Sequence, residues 1–392
     1  SKFARYYTPV VVVLAVLLAV IPPFIFPDTS INEWVYRALT FLVISCPCAL
    51  VISVPLSFFG GIGGASKLGV LIKGSNYLEI LANTETIVFD KTGTLTKGNF
   101  VVQNITSVVL PEEELLRLTA TAEQLSTHPI AISIKESYGK ETVPATAIEE
   151  VAGHGIKATI EGKTVLVGNA KLMKQFGIEA PEVKEAGTLI FVAIDNQFAG
   201  YLVIADQLKP DAISAIKELK AEGVKQTVML TGDNQQVAEA IAKEVGVDKV
   251  YAELLPDGKV DRLEELLKAS SPKNKVAIVG DGMNDAPVLA RADVGIAMGG
   301  LGSDAAIEAA DVVIMNDEPS RIASAIKLSR KTLRIVKQNI IFAIAVKIIV
   351  LVLGALGLAS MQAAVFADVG VTIIAVLNAM RCLRVEKMKD NN

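Results

Sequence analysis

The hydrophobic residues of this chain are concentrated in three long runs, two near its beginning and one near its end. The runs are Tyr6–Pro27 and Ala38–Ser66, which carry no charge, and Gln338–Met380, which carries two charged residues. Each run is as long as or longer than the roughly 20 apolar residues that a helix needs to cross a bilayer. The third run is long enough for two helices with a turn at residues 354–360. The pattern therefore predicts four membrane spans.

Basic residues near these runs lie on one predicted side of the membrane. With four spans, both ends of the chain and the polar middle region share that side, and its excess of lysine and arginine indicates the cytoplasm. The loop on the opposite side, near Asp28 and Glu33, has only Arg37. The basic residues concerned are Lys2, Arg5, Lys67, Lys73, Arg330, Lys331, Arg334, Lys337, Arg381 and Arg384.

Composition and charge exclude several classes of protein. Hydrophobic residues make up 51% of the sequence and charged residues 20%. The chain is thus too apolar for an ordinary soluble enzyme and too charged to lie wholly in a bilayer. A net charge of −4 predicts no nucleic-acid partner. The three cysteines do not form a disulfide framework, since two of them are separated by one residue inside a predicted span.

In the middle region, short apolar segments alternate with helical patterns. The first segment, TIVFD, ends at Asp90, and similar segments recur at residues 226–233, 275–282 and 293–298. Amphipathic stretches that close on a glycine, a common helix end, lie between them. This alternation predicts a doubly wound α/β domain with ligands at the carboxyl ends of its strands.

A different pattern interrupts the α/β domain between Gly98 and about Ala205. One helical stretch at Pro111–Gln124 precedes alternating segments joined by Gly or Asp-Asn turns, which predict an antiparallel sheet. We therefore expect an inserted α+β lobe. The predicted domains are residues 1–72 (two spans), 73–98 and 205–330 (the α/β domain), 99–204 (the inserted lobe) and 331–392 (two spans and a cytoplasmic tail).

The predicted strand ends carry the residue types of a phosphoryl-transfer site. An aspartate can attack phosphorus, a hydroxyl and a lysine can hold phosphoryl oxygens, and two further carboxylates can bind Mg²⁺. A lone Asp-Gly is usually a turn and a lone Thr-Gly-Asp a helix cap, but their order at successive strand ends predicts one site. The residues are Asp90 as nucleophile, Lys91, Thr92, Thr231, Gly232, Asp233 and Lys259 around it, and Asp281 and Asp285 for magnesium.

This set of strand-end residues resembles the haloacid dehalogenase superfamily, and the run DKTGTLT that begins at Asp90 resembles its P-type ATPase branch. The resemblance implies an α-helical membrane bundle plus a haloacid-dehalogenase-like α/β phosphorylation domain with an inserted nucleotide-binding domain. In the phosphatases of this superfamily, the residue two after the nucleophile is a second aspartate that activates water. Thr92 stands there in this sequence, which implies an aspartyl phosphate that persists until another domain hydrolyses it.

The inserted lobe carries a second set of residues, similar to the nucleotide-binding residues of heavy-metal P-type ATPases. The resemblance implies that they bind ATP, with glycines allowing close approach of the base and polar side chains contacting it. By itself His128 equally fits a helix cap or a core position, and His154 is expected to face solvent. The set comprises Glu123, His128, Gly153, Gly155 and Asn169.

The second apolar run contains the triplet Cys46-Pro47-Cys48. Proline interrupts the hydrogen-bond ladder of a helix and exposes both thiols at one point. Thiolates bind copper(I), zinc, cadmium or lead. A single buried cysteine is only a small hydrophobic side chain, but the triplet resembles that of the heavy-metal pumps.

Lys347 and Asp368 are the charged residues of the third run, and both are expected near the bilayer midplane. Charges at that depth are normally functional. Asp368 can supply an oxygen ligand for a divalent ion and Lys347 its counter-ion when the metal is absent, although a structural ion pair fits the same positions. The two residues resemble those of the zinc, cadmium and lead pumps. Copper(I) pumps carry a Tyr-Asn pair in the first of these spans, and residues 340–357 contain neither.

We therefore expect an ATP-driven exporter of zinc, cadmium or lead that uses Mg²⁺ and lies in the inner or plasma membrane of a bacterium, with its catalytic domains in the cytoplasm. A copper(I) pump is the main alternative. A membrane-tethered phosphatase is a weaker one, because Thr92 replaces the second aspartate. A pump for alkali or alkaline-earth ions would need more carboxylates in the spans.

The resemblance covers essentially the whole chain but not the whole of such a pump. The pumps also contain further spans and an actuator domain whose Thr-Gly-Glu loop hydrolyses the aspartyl phosphate, and no such loop occurs here. We expect the carboxyl-terminal portion of a longer pump, which binds ATP and metal but does not complete the cycle without its missing domains.

Overall fold

The computed structural model of the chain describes residues 2–26, 30–183, 185, 187–281, 285–299, 304–355 and 360–384. The chain divides into two compact units, a helical unit (Ser1–Asn83 with Ser324–Asn392) and an α/β unit (Thr84–Ala323). Four predicted features lie outside the described residues: the loop at Asp28, the turn at Gly357, residues 282–284 and the tail beyond Arg384.

Helices and strands follow one another along the whole chain. In chain order the helices are α1 Lys2–Val20, α2 Pro22–Ile25, α3 Ile31–Ile44, α4 Cys48–Lys67, α5 Ser75–Ala82, α6 Glu112–Ala122, α7 Pro129–Tyr138, α8 Ala170–Gln175, α9 Ala212–Ala221, α10 Gln235–Val245, α11 Pro256–Ala269, α12 Ala286–Leu289, α13 Asp304–Ala309, α14 Ser320–Ala355 and α15 Met361–Ala379. The strands are β1 Val70–Ile72, β2 Thr84–Asp90, β3 Thr96–Ser107, β4 Ala145–Val151, β5 Gly155–Ile160, β6 Lys163–Gly168, β7 Thr188–Ile194, β8 Gln197–Leu208, β9 Gln226–Leu230, β10 Lys249–Tyr251, β11 Lys275–Gly280, β12 Val294–Met298 and β13 Val312–Ile314. Lys91–Leu95 form a turn closed by a π-type hydrogen bond from Thr96 N–H to the carbonyl of Lys91, here called the π-helical turn, although Thr92 and Gly93 within it have non-helical dihedral angles. Met380–Leu383 form a 3₁₀ turn.

Four helical segments among the described residues are long and apolar enough to cross a membrane, which confirms the predicted number of spans. They are Tyr7–Ile25, Ile31–Lys67, Ser320–Leu353 and Val365–Leu383. The second segment is interrupted between α3 and α4, where Pro47 has no N–H to donate to the helical ladder. The interruption coincides with the cysteine triplet, as the sequence predicts.

The α/β unit is built on parallel strands in the spatial order β13, β12, β11, β2, β9, β10. Strand β2 lies between β9 and β11, and Asp90 at its carboxyl end is in register with Leu230 of β9. Thr231 directly follows β9 and Asp281 directly follows β11. Parallel strands end at a common edge of the sheet, so these three residues share one edge.

A second, antiparallel sheet is inserted after the π-helical turn, with strand order β3, β8, β7, β6, β5, β4. Helices α6 and α7 pack on one face of it, around Leu115, Ile134 and Leu202. Helix α8 packs on the other face, around Leu172 and Phe191. The inserted lobe thus has a buried layer on each side of its sheet, as the predicted α+β class requires.

The boundaries of the structural units differ from the predicted domain limits. The unit boundaries fall at 83/84 and 323/324 rather than at 72/73 and 330/331. The first differs because β1 and α5 pack on α4, and Arg330 donates a hydrogen bond to the carbonyl of Ala82 (3.1 Å). The limits expected at 98/99 and 204/205 fall inside β3 and β8.

Three elements of the inserted lobe were not predicted. The sequence indicated one helical stretch, at Pro111–Gln124, whereas the described residues also form α7 and α8, and β3 is a full strand. Helix α8 has only six residues and α7 ten, so their periodicity is weak.

Replacement of Leu202 by alanine is expected to destabilise the inserted lobe. The side chain is fully buried in the core beneath α6 and α7, and a truncation of this kind lowers the free energy of unfolding by about 2–5 kcal/mol. Val108, 64% exposed, is the matched control, and Val108→Ala should lower it by less than about 0.5 kcal/mol. Denaturant unfolding followed by circular dichroism measures both changes, and equal effects would contradict the assigned core.

Candidate functional site

The chain turns sharply after Asp90, the last residue of β2. Within the π-helical turn that follows, Gly93 has a φ of 71°, a left-handed conformation that glycine adopts without strain. A Cβ at Gly93 would also overlap the carboxylate of Asp281. Asp90 is buried and Thr92 is exposed. The turn therefore places Gly93 directly against an acidic residue that follows the neighbouring strand.

Lys259, in the first turn of α11, reaches the carboxylates at the edge of the sheet. Its Nζ atom donates to Asp90 Oδ1 at 2.5 Å and to Asp285 Oδ1 at 3.2 Å. Pro256 begins this helix, where its missing N–H leaves no intrahelical hydrogen bond unmade. The lysine bridges two buried carboxylates that would otherwise repel each other.

The electrostatic environment of Asp90 favours its neutral form. Burial raises the pKa of its carboxyl to about 7, and the charge of Asp285 acts in the same direction, whereas Lys259 lowers it. For Lys259 itself, burial lowers the pKa, but Asp90 and Asp285 outweigh it and the net shift is upward. The lysine therefore stays charged, while the neutral form of Asp90 persists to higher pH than that of an exposed aspartate.

The acidic residues at this edge fit a magnesium ion. Asp285 is 3% exposed, and its Oδ2 atom accepts no hydrogen bond from the described residues. A buried carboxylate oxygen without a donor suits a hard cation. No three Cys, His, Asp or Glu side chains among the described residues converge closely enough to bind a metal by themselves. Mg²⁺ commonly takes one or two carboxylates and completes its shell with water and phosphate, and Asp281 and Asp285 can supply that number.

The other predicted residues of this site adjoin the same turn. Lys91, whose side chain is 7% exposed, forms an ion pair with Asp233 (2.7 Å). The hydroxyl of Thr231 accepts a hydrogen bond from the backbone N–H of Asp233 (3.1 Å), which orders the Thr231-Gly232-Asp233 segment. The ion pair thus joins this segment, at the end of β9, to the residue that follows Asp90.

The predicted nucleotide-binding residues form two groups within the inserted lobe. Asn169 caps α8 and donates from Nδ2 to the carbonyl of Gly153 (3.0 Å), which joins it to the turn containing Gly155. His128 caps α7, where its Nδ1 accepts from the N–H of Ile130 (3.2 Å). Glu123 is buried, which raises its pKa to about 6. No described hydrogen bond or ion pair links the two groups.

The predicted metal ligands of the helical unit meet beside the helix interruption. Cys48 lies close enough to Cys46 and Asp368 to interact with them electrostatically. The Nζ atom of Lys347 donates to the carbonyl of Cys46 and lies 3.9 Å from Asp368 Oδ1. Lys347 and Asp368 also line a cavity with Pro47. No three donor side chains of the described residues converge to metal-binding distances in this unit. Lys347 occupies the space beside the carboxylate of Asp368.

Several buried polar residues near Asp90 were not predicted. Thr96 donates from its hydroxyl to Asp206 Oδ2 at 2.5 Å and lies 2.9 Å from the carbonyl of Lys91. Lys209 donates to the carbonyl of Gly93 and pairs with Asp317. A lysine placed directly after an apolar strand, as Lys209 is after β8, was the available signal.

The titration of Asp90 provides a direct test of its contact with Lys259. Without metal and nucleotide, the carboxylate form should be lost as the pH falls through about 7. Lys259→Met removes the charge that lowers this pKa, so the midpoint should move to higher pH. Infrared difference spectra between wild type and Asp90→Asn isolate the carboxyl band. Lys225→Met, which removes a 69% exposed lysine paired with Glu85, is the control; an unmoved midpoint in Lys259→Met would refute the contact.

Known proteins resemble this chain over nearly its full length. A family model described as haloacid dehalogenase-like hydrolase matches residues 84–293. The cadmium, zinc and cobalt-transporting ATPase of Bacillus subtilis (strain 168) is 55% identical over 98% of this chain and 55% of its own length. The zinc-transporting ATPase of Synechocystis sp. (strain ATCC 27184 / PCC 6803 / Kazusa) is 54% identical over 97% of this chain and 53% of its own length. The chain spans about half the length of the curated relatives it matches.

Solved structures give the same result. A zinc-transporting PIB-type ATPase in the E2.Pi state is 38% identical, with a TM-score of 0.87 over 98% of this chain and 63% of that chain. The catalytic domain of the CPx-ATPase CopB-B is 30% identical, with a TM-score of 0.53 over 67% of this chain and 97% of that chain. With the family model covering more than half of its residues, this chain belongs to the haloacid dehalogenase-like hydrolases and, within them, to the P-type ATPases.

Proposed function

We propose that this chain is part of a pump that uses ATP to export divalent zinc, cadmium or lead ions. The observation that carries the proposal is the presence, in one chain, of the strand-end cluster at Asp90 and of two thiols, a carboxylate and a lysine beside an interrupted apolar helix. Relatives named for zinc and cadmium transport support it. The proposal covers only the part of the pump that this chain forms.

Phosphoryl transfer would use the carboxylate of Asp90 as nucleophile. Its oxygen attacks the γ-phosphorus of ATP, a new P–O bond forms, the bond to the β–γ bridging oxygen breaks, and ADP leaves with that electron pair. Lys259 and Lys91 offset the negative charge of the phosphoryl oxygens, while Thr231 and the backbone of Gly232 donate to them. Bound Mg²⁺, held by Asp281 and Asp285, would neutralise further charge.

The aspartyl phosphate would not be hydrolysed by the residues around Asp90. The second position after the nucleophile is Thr92, whose hydroxyl is a poor general base compared with a carboxylate. We infer that an actuator domain, together with further membrane spans of the same pump outside this sequence, acts on the phosphorylated form. Delayed hydrolysis leaves time for metal release, which a pump requires.

ATP would be held by the inserted lobe, residues 99–204, which acts as the nucleotide-binding domain. Gly153, where a Cβ would meet no atom within 4 Å, leaves space for a planar base, whereas Gly155 lies against the backbone of Val167 and Gly168 and allows these strands to approach. The hydrogen bond from Asn169 to the carbonyl of Gly153 keeps that turn in shape. Glu123 and His128, on the connection between α6 and α7, would contribute the remaining polar contacts. Residues 73–98 and 205–330 form the phosphorylation domain.

The transported ion would bind to Cys46, Cys48 and Asp368. Two thiolates select soft or borderline metals, and the carboxylate favours a divalent ion over copper(I). The contacts of Lys347 with Asp368 and with the carbonyl of Cys46 support a role as counter-ion, since an ammonium offsets the carboxylate charge when no metal is bound. Residues 1–72 and 331–392 would lie in the cell membrane of a bacterium, with the catalytic domains in the cytoplasm.

Metal-dependent phosphorylation tests the proposal. The complete pump, incubated with γ-labelled ATP, should acquire an acid-stable, hydroxylamine-labile label with zinc, cadmium or lead. Asp90→Asn should abolish the label while ATP binding persists. Labelling by copper(I) alone would retain the role of Asp90 but overturn the proposed divalent ion.

The cysteine triplet has an internal control in the same chain. Cys48→Ser should abolish metal activation of labelling by ATP, because one thiolate ligand is lost, while labelling by inorganic phosphate remains. Cys382→Ser alters the buried third cysteine, which lies outside the triplet, and should keep metal activation. If both variants lost metal activation equally, the triplet would not be the ligand site.

Asp368→Ala is expected to weaken zinc binding to the complete pump by at least the ~10–100-fold that follows loss of even an outer-shell partner. Equilibrium dialysis with zinc measures this change. Glu33→Gln, which neutralises an exposed carboxylate paired with Arg37 on α3, is the control. Unchanged zinc affinity in Asp368→Ala would remove this residue from the site.

A further inference from the structure

A buried lysine outside the predicted site holds the turn that follows Asp90. The side chain of Lys209 is 4% exposed, and its Nζ atom donates to the carbonyl of Gly93 at 2.8 Å and to Asp317 Oδ1 at 2.9 Å. The backbone N–H of Lys209 also donates to the carbonyl of Leu95 (2.9 Å). A buried ammonium is unfavourable unless it is paired, and here its partners are one carboxylate and one carbonyl of the turn.

The contact with Gly93 determines which way one peptide group faces. The carbonyl of Gly93 and the N–H of Thr94 belong to the same planar, trans peptide unit, so they point in opposite directions. Rotation of this peptide changes ψ of Gly93 and φ of Thr94, and glycine, here at a φ of 71° and a ψ of −12°, tolerates a wider range of backbone angles than other residues. The hydrogen bond from Lys209 holds the carbonyl on one side and therefore the N–H on the other.

The same glycine lies against a residue of the candidate magnesium site. The Cα of Gly93 is so close to Asp281 that a Cβ would overlap its carboxylate. Loss of the hydrogen bond from Lys209 would allow the turn at Gly93 to shift against Asp281, a candidate magnesium ligand. Lys209 directly follows β8, the last strand of the inserted lobe. The hydrogen bond that holds the turn therefore comes from the point where the chain leaves that lobe.

We propose that Lys209, with Asp317, is a positioning residue for phosphoryl transfer: it locks the Gly93–Thr94 peptide in the turn that follows Asp90 and so holds Gly93 against the Asp281 carboxylate. The proposal rests on the proposed function. Lys209 touches neither phosphate nor Asp90. Its effect is exerted through the turn.

The test uses the complete pump with three variants at two positions. Lys209→Met removes the donor, Lys209→Arg keeps a charged donor, and Asp317→Asn removes the partner charge with little change in shape. Lys225→Met, which breaks an exposed lysine–carboxylate pair (2.9 Å) in the same unit, is the control. Four quantities are measured for each variant: the rate of phosphorylation per labelled molecule, the magnesium concentration that gives half of the maximal rate, the ATP affinity and the melting temperature.

Lys209→Met should slow phosphorylation by about 10–100-fold, the effect of a small misplacement of reacting groups, and should raise the half-saturating magnesium concentration while ATP affinity is unchanged. Lys209→Arg should recover most of the rate, Asp317→Asn should fall between, and Lys225→Met should match the wild type. The proposal would be overturned if Lys209→Met lowered only the melting temperature and the labelled fraction, while the phosphorylation rate and the magnesium dependence per labelled molecule stayed at the wild-type values.

Hydrogen exchange separates this inference from the proposed function. Amides of residues 91–96 should exchange faster in Lys209→Met than in wild type, while those of β7 should not change. If the wild-type pump acquired no label from ATP, the proposed function would fail, and faster exchange would still support the lock on the turn. Unchanged exchange at residues 91–96 would refute the lock itself.

Discussion

The repulsion between buried carboxylates is the constraint on which the candidate site depends. Asp90 and Asp285 share one ammonium, that of Lys259, and Asp281 adds a third negative charge nearby. Because burial and like charge both favour the neutral form of Asp90, an ionised nucleophile needs additional positive charge beside it. A divalent cation at Asp281 and Asp285 would supply that charge. Ionisation of the nucleophile and binding of such a cation would then be coupled by electrostatics.

The helical unit also contains a carboxylate next to a lysine, in a more apolar environment. Asp368 stands opposite Lys347, whose ammonium also reaches the carbonyl of Cys46 where the helix is interrupted. An isolated carboxylate among apolar helices would be strongly destabilising, and a lysine offsets its charge. In both units, therefore, a lysine neutralises the carboxylates that a metal ion is expected to meet. A metal ion that bound at either place would compete with the ammonium group of this lysine for the carboxylate.

The sequence predicted the elements that are specified locally and missed those that depend on distant partners. Short segments specify the position of Asp90 at a strand end, the helix interruption at Pro47 and the alternation of buried strands. Their periodicity and residue types can be recognised directly in the sequence. The hydrogen bond from Lys209 to Gly93 joins residues 116 positions apart, and the position of the lysine directly after β8 does not indicate its partner. The pairing of β3 with β8 was not predicted for the same reason, since strand pairing over such separations leaves only weak traces in either segment.

The pairing of β3 with β8 has a consequence for how such a chain could arise. Thr96 is the direct partner of Leu208, so the chain enters and leaves the inserted lobe at points only about 5 Å apart, the separation of neighbouring strands. A short hairpin would close the same gap. The inserted lobe could therefore have been acquired by an ancestral gene in a single event, without rethreading the older sheet, and its interior is free to diverge independently of the residues that surround Asp90.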